Sequence, residues 1–151
     1  MTNGHRLNGS RIAGLLAGPL SERGTPSERI HLDPGTVIFE EGGAADAFYV
    51  VERGRIRLEL STPGRPTTIV QTIGPGDLVG LSWFTVNGTW SWDARAVVDT
   101  DLRVFDAAAV RAACADDDAL RADIGSCVAA EAIRRLHAAR LQMIDLFGGA
   151  T

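Results

Sequence analysis

The sequence predicts a mainly β domain: an antiparallel sandwich or barrel, preceded by a short N-terminal helix and followed by a long C-terminal one. Three observations predict it. Between about residues 28 and 106, short β-branched or aromatic runs alternate with Gly, Pro and Asp turns at even spacing. One run sets Ile56, Leu58 and Leu60 against Arg55, Arg57 and Glu59, a period of two with one buried and one wet face. From Ala107 onward the period becomes helical.

The elements follow in order. Ser10 is an N-cap for a helix from Arg11 to Ala17, and Gly18-Pro19 stops it, giving an N-terminal helical segment at 10–18. The strand runs are Arg29 to Leu32, Thr36 to Phe39, Ala47 to Glu52, Arg55 to Leu60, Thr67 to Ile73, Ser91 to Val98 and Leu102 to Phe105. Asp33-Pro34-Gly35, Glu41-Gly42-Gly43, Arg53-Gly54, Thr62 to Pro66 and Gly74-Pro75-Gly76-Asp77 punctuate them. A short helix runs from Ala107 to Ala115, and Asp116-Asp117-Asp118 caps the next. That helix spans Ala119 to Phe147, with a bend expected near Gly125 and a stop at Gly148-Gly149. At about 28 residues and roughly 42 Å, it is too long to lie wholly on a sheet of this size.

The apolar stripe of the long helix is Ile124, Val128, Ala132, Leu136, Ala139, Met143 and Leu146, edged by Arg134, Arg135 and Arg140. It predicts a homodimer through the C-terminal helix. The alternative is a helix packed only on its own barrel.

Composition narrows the class. With 151 residues, 45% hydrophobic and 23% charged, the chain suits one compact domain. No apolar run reaches the roughly 20 residues of a membrane span, and the N-terminus lacks a signal-peptide core, so a cytoplasmic protein without membrane contact is expected. Cys114 and Cys127 lie 13 apart with no CxxC pair, against a disulfide framework or a zinc ribbon. All 15 basic residues are arginine and the net charge is −4, so no general attraction to nucleic acid is expected. A single domain over 1–151 is expected, because only four residues follow Phe147.

The stretch from Leu32 to Gly42, with Asp33-Pro34-Gly35 near its start, resembles the opening of the cyclic nucleotide-binding domain. So do Phe48-Tyr49-Val50-Val51-Glu52-Arg53-Gly54-Arg55-Ile56 and Ile73-Gly74-Pro75-Gly76-Asp77-Leu78-Val79-Gly80. In this order and spacing they identify the chain as a member of the CRP/FNR-like superfamily. The resemblance implies a β-roll, or jelly-roll barrel, with a ligand pocket inside, closed by the long helix. It implies that a ligand alters how roll and helix sit. The helix-turn-helix that follows in the family's transcription factors is not expected here.

The family's phosphate-binding cassette carries a glutamate for a ribose hydroxyl and, later, an arginine for the cyclic phosphate. An anion needs a cation or clustered N–H groups. Here those positions are Leu81 and, on or near it, Trp90. The two hydroxyl residues that contact adenine in the family correspond to Ala139 and Arg140. A buried phosphate without its cation is very costly, so ordinary cyclic AMP binding is not expected. Arg95 and Arg140 are the candidates to substitute; strand alternation turns Arg95 outward if Trp90, Trp92 and Ala94 face in.

Aromatic residues replace the cassette. Ser82-Trp83-Phe84 and Thr89-Trp90-Ser91-Trp92 hold all three tryptophans, Trp90 and Trp92 sharing one strand face. They predict an aromatic-walled pocket; the alternative is rings that fill the old cavity. Gly80-Leu81-Ser82-Trp83 and Trp90-Ser91-Trp92-Asp93-Ala94-Arg95-Ala96 also resemble a group of short stand-alone members of the superfamily. Leu81 and the Val86-Asn87-Gly88 turn depart from that group.

Other chemistries lack their residues. A cupin-type metal enzyme needs clustered ligands, whereas His5, His31 and His137 fall in a tail, a strand edge and a helix. Haem ligation by His31 or His137 is not expected, and no cofactor is predicted. Cys114 and Cys127 read as small core residues. Ser82 and Ser91 have no histidine nearby in sequence to act as a base, and the Asp116–Asp118 run lacks the spacing of a calcium loop.

The reading is a non-enzymatic, homodimeric ligand sensor or adaptor. Its pocket is lined by Val79, Gly80, Leu81, Ser82, Trp83, Trp90, Trp92, Leu136, Ala139 and Arg140. It takes an unknown small molecule, with a protein partner as output. The alternatives are a cyclic AMP or cyclic GMP receptor with rerouted contacts and a pocketless interaction module.

Overall fold

The structure, a computed structural model, describes residues 27–85 and 88–148. The helix expected at 10–18 lies outside them. The strands are β1 (Ser27–Leu32), β2 (Val37–Phe39), β3 (Ala47–Arg53), β4 (Ile56–Leu60), β5 (Thr68–Ile73), β6 (Leu78–Val79), β7 (Asp93–Ala96) and β8 (Thr100–Asp106). They form two antiparallel sheets of four strands, ordered β1-β8-β3-β6 and β2-β7-β4-β5. Helices α1 (Ala107–Ala115) and α2 (Asp118–Gly148) follow. This is the β-roll with a long C-terminal helix.

The alternating pattern of β4 buries Ile56 and Leu58 opposite Ala96 and Ala94 of β7. It breaks once. Glu59, on the opposite face and beside a register shift against β5, is also buried, 6% exposed, under Arg95 at 3.3 Å. Arg95 is otherwise half-exposed and donates to the Gly35 carbonyl at 2.8 Å. Its outward placement follows the alternation, and its charge is spent on Glu59 and a turn.

Two strands differ from the sequence reading. β6 is only two residues long, too short to carry a period; pairing of Leu78 and Val79 with Val50 and Tyr49 makes it a strand. The run expected from Ser91 to Val98 contracts to Asp93–Ala96. The Asp93 carboxylate accepts from the Glu41 backbone N–H at 2.8 Å and the Ser61 hydroxyl at 3.4 Å, and the chain bends at Ser91 and Trp92 just before it. The β3–β4 corner requires a glycine. Gly54 has φ of +100°, and a Cβ there would lie 2.5 Å from the Asp99 carbonyl oxygen.

Both helices are capped by aspartate. Asp106 accepts from the Ala109 N–H at 3.1 Å, and Asp117 from the Leu120 N–H at 2.9 Å. The first half of α2 buries Leu120, Ile124, Cys127, Val128 and Glu131. Cys114 and Cys127 are both buried. The helix passes Gly125 without a break, and a Cβ there would come within 3.5 Å of the Phe84 ring. In the second half Ile133, Leu136, Leu141, Met143 and Ile144 are 54–68% exposed. The second half of the helix thus keeps an uncovered apolar face.

Candidate ligand cavity

β6 delivers the chain to the cavity. Gly80 follows it with φ of +94°, and Leu81 leads into a single 3₁₀ turn over Ser82–Phe84. The Thr85 hydroxyl donates to the Ser82 carbonyl at 2.8 Å, and Arg111 of α1 donates to the Trp83 carbonyl. This turn sends Trp83 into the core. Its ring stacks on Phe48 at 4.2 Å, and Phe48 stacks on Phe105 at 5.1 Å.

Trp90 goes to the cavity wall. Its N–H donates to the Gly43 carbonyl at 2.9 Å, and its carbonyl accepts from Gly42 at 2.8 Å. Its ring stacks on Phe39 at 3.9 Å and 11°. The same ring lies against Gly80, where a Cβ would sit 2.7 Å from two indole carbons. Glycine is therefore demanded at 80 twice, by backbone angle and by the indole. Trp92 sits on the bend and stays 37% exposed. The strand face expected to carry both rings does not exist, because neither residue lies in β7.

The cavity encloses about 360 Å³, near the lower end of small-molecule sites. Phe39, Leu58, Val70, Gln71 and Ser91 line it, with Ala132, Arg135, Leu136 and Ala139 from α2. Gly80, Leu81, Ser82, Trp90 and Trp92 complete the wall. Of the residues singled out from sequence, Gly80, Leu81, Ser82, Trp90, Trp92, Leu136 and Ala139 are brought together here. Val79, Trp83 and Arg140 are not. Val79 and Trp83 are core residues at 0% and 2% exposure, and Arg140 is exposed on α2.

Sequence reasoning missed Arg135, which it placed at the edge of the apolar stripe. Its side chain is 13% exposed and lines the cavity. Its Nε donates to Glu131 Oε1 at 3.1 Å, and one Nη donates to the Leu78 carbonyl of β6. Glu131, also buried, accepts from Arg134 as well, with Nε–Oε2 at 3.1 Å. Burial pulls the Arg135 guanidinium below the usual arginine range, and the Glu131 carboxylate opposes that shift. The Glu131–Arg135 spacing of four was the available signal, since a helical carboxylate one turn before an arginine can hold it against the helix.

The wall is thus aromatic and aliphatic, with three neutral polar side chains and one guanidinium already paired. Leu81 and Trp90, the residues set against the family's glutamate and arginine in the sequence analysis, both lie in this wall.

Comparison with known proteins agrees with this architecture. The family model for the cyclic nucleotide-binding domain matches residues 29–117. The lysophospholipase nte1 of Aspergillus fumigatus is 33% identical over 78 residues, covering 52% of this chain but 5% of that protein. The chain therefore spans a small fraction of the curated relatives it matches. A candidate cyclic nucleotide-binding protein from Geobacter metallireducens GS-15 superposes with a TM-score of 0.72 at 26% identity, covering 91% of this chain and all of the other. The catabolite activator protein of Thermus thermophilus gives 0.65 at 26% identity over 90% of this chain and 58% of its own. The match over more than half its length, on the β-roll just described, makes this chain a member of the cyclic nucleotide-binding domain family.

Proposed function

We propose that the chain is a non-enzymatic sensing or adaptor domain whose cavity takes a neutral, largely apolar or aromatic small molecule in place of a cyclic nucleotide. One observation carries this reading: the cavity wall is built from Leu81 and from Trp90 stacked on Phe39, on or near the places where the resemblance puts the phosphate clamp. A cyclic phosphate needs a cation there. Arg135 is the guanidinium lining the cavity among the described residues, and it is engaged by Glu131 and Leu78. Turning it to a phosphate would strip a donor from a buried carboxylate and leave a strand carbonyl unpaired. The similarity to the fungal lysophospholipase covers a small part of that enzyme, so its hydrolase activity is not carried over.

The output is a helix-borne contact. The exposed apolar residues on the second half of α2 support a homodimer through that helix, and Leu136 belongs both to that face and to the cavity wall. Ligand occupancy and helix pairing then share a side chain. No described helix is long and apolar enough to cross a membrane.

A second reading, a cyclic AMP or cyclic GMP receptor with rerouted contacts, has Arg135 in its favour. Titration of the purified chain separates the two. The neutral dye N-phenyl-1-naphthylamine should bind and accept energy from Trp90 and Trp92, and Ala139→Trp, which fills the cavity mouth, should abolish the transfer. Neither nucleotide should raise the melting temperature. Stabilisation by micromolar cyclic AMP or cyclic GMP, lost in Arg135→Met, would overturn the reading in favour of the second. Absence of both dye and nucleotide binding would leave a filled, pocketless module.

A further inference from the structure

A second constellation lies away from the cavity, at the far end of the β1–β8 ladder. Register sets His31 of β1 directly opposite Asp101 of β8, and Leu32 opposite Thr100. Asp33 follows β1 and Asp99 precedes β8, each two positions from its ladder residue. Side chains two apart share a face. One imidazole and three carboxylates therefore gather at one strand end, and none of them lines the cavity.

The contacts are unequal. His31 Nδ1 bonds to Asp101 Oδ1 at 2.7 Å. Nε2 faces Asp99 Oδ1 at 3.5 Å and Asp33 Oδ1 at 3.8 Å. Those last two separations are too long for good hydrogen bonds. They are close to the spacing of ligands around a small cation. Zinc bonds nitrogen and oxygen at about 2.0–2.2 Å, which puts tetrahedral ligand pairs about 3.4 Å apart. One ligand atom from each of His31, Asp33 and Asp99 lies within 4.8 Å of the other two. The Asp101 bond fixes the imidazole with Nε2 presented outward, as carboxylates behind metal-bound histidines do.

Charge points the same way. Carboxylates held side by side on neighbouring strands repel. The compensating cations are partly committed: Arg53 reaches Asp101 at 3.5 Å, and Arg29 is held by Glu52 at 2.9 Å. Neither forms an ion pair with Asp33 or Asp99 in the described structure.

We propose that His31 Nε2, Asp33 and Asp99 form a surface site for a divalent first-row cation, zinc above all, with Asp101 as the positioning residue that orients the imidazole. Water completes the coordination, because all three ligands are exposed. The site ties the end of β1 to the turn before β8.

The test uses the full chain stripped of metal by a chelator. Zinc alone is titrated calorimetrically, and cobalt is followed by its visible ligand-field absorption. The expected result is one metal per chain, with a cobalt spectrum in the tetrahedral or five-coordinate intensity range. His31→Ala and Asp99→Asn should each abolish binding. Asp101→Asn should retain the stoichiometry but weaken affinity by about 10–100-fold. His31 and Asp99 are exposed and Asp101 is partly buried, and a circular-dichroism melt of each variant checks folding. No heat with zinc, or binding unchanged in His31→Ala, would overturn the proposal. Because neither result depends on the cavity, this test and the dye titration fail independently.

Discussion

Gly80→Ala probes the packed floor of the cavity. The residue sits at φ +94°, and the added methyl would meet two carbons of the Trp90 ring at 2.7 Å. The backbone part costs about 1–2 kcal/mol, as for any L side chain in the left-handed region. Overpacking against a ring already stacked on Phe39 at 3.9 Å costs about 1–3 kcal/mol more. The sum is about 2–5 kcal/mol, or a fall in Tm of roughly 4–20 °C at about 2–4 °C per kcal/mol. The assay is urea unfolding followed by far-ultraviolet circular dichroism, in a cycle with Trp90→Ala. That second change should cost about 3–5 kcal/mol by itself. In the double variant the clash disappears while the backbone cost remains. The two changes should therefore be less than additive by about 1–3 kcal/mol, the overpacking share. Strict additivity, or a Gly80→Ala protein within about 0.5 kcal/mol of the parent, would refute the placement of the indole against Gly80.

Two further outcomes are expected. Arg135→Met leaves buried Glu131 with Arg134 alone and removes the donor to the Leu78 carbonyl, so urea unfolding should show a loss of about 1–3 kcal/mol. Arg135→Lys should recover only part of it, lacking the planar fork; full recovery would reduce Arg135 to a point charge. The His31–Asp101 pair should make stability depend on pH from both sides. The Asp101 hydrogen bond raises the His31 pKa, so the histidine's contribution is complete below its ordinary value of 6.5 and is lost as pH climbs through the raised one. His31 lowers the Asp101 pKa, so that contribution is complete above 3.8 and is lost as pH falls through the lowered one. The Tm difference between the parent, kept metal-free, and His31→Gln should be widest between those two values and narrow on either side. A difference flat from pH 4 to 9 would dissolve the pair.

Much of this fold is local, and local features are legible in a chain. The β4 alternation, the glycine corner at Gly54 and the aspartate run before α2 each report a short-range constraint: a face, a backbone angle, a cap. The cavity was legible only in part. Leu81, Trp90, Leu136 and Ala139 were placed by resemblance to a family whose pocket positions are known. Trp92 reached the wall for a different reason from the one expected, through a bend enforced by Asp93 and its partners. Trp83, two residues from Leu81, went into the core because the 3₁₀ turn swings it onto Phe48. No period covers a single turn of that kind. The short β6 was invisible for the related reason that two residues carry no pattern, and only the partner strand defines it.

By itself, then, the sequence determined the β-roll, most of its strands and the long helix, since each rests on residue identity or nearby spacing. Tertiary structure decided where charge is buried. Arg135 and Arg140 are both arginines on one helix, yet only Arg135 meets β6 and shares Glu131, while Arg140 is exposed. Likewise His31 and Asp101 stand 70 residues apart and meet because strand register puts them face to face. Solvation and pairing depend on what the folded chain packs beside a side chain, and that neighbour is seldom its neighbour in sequence.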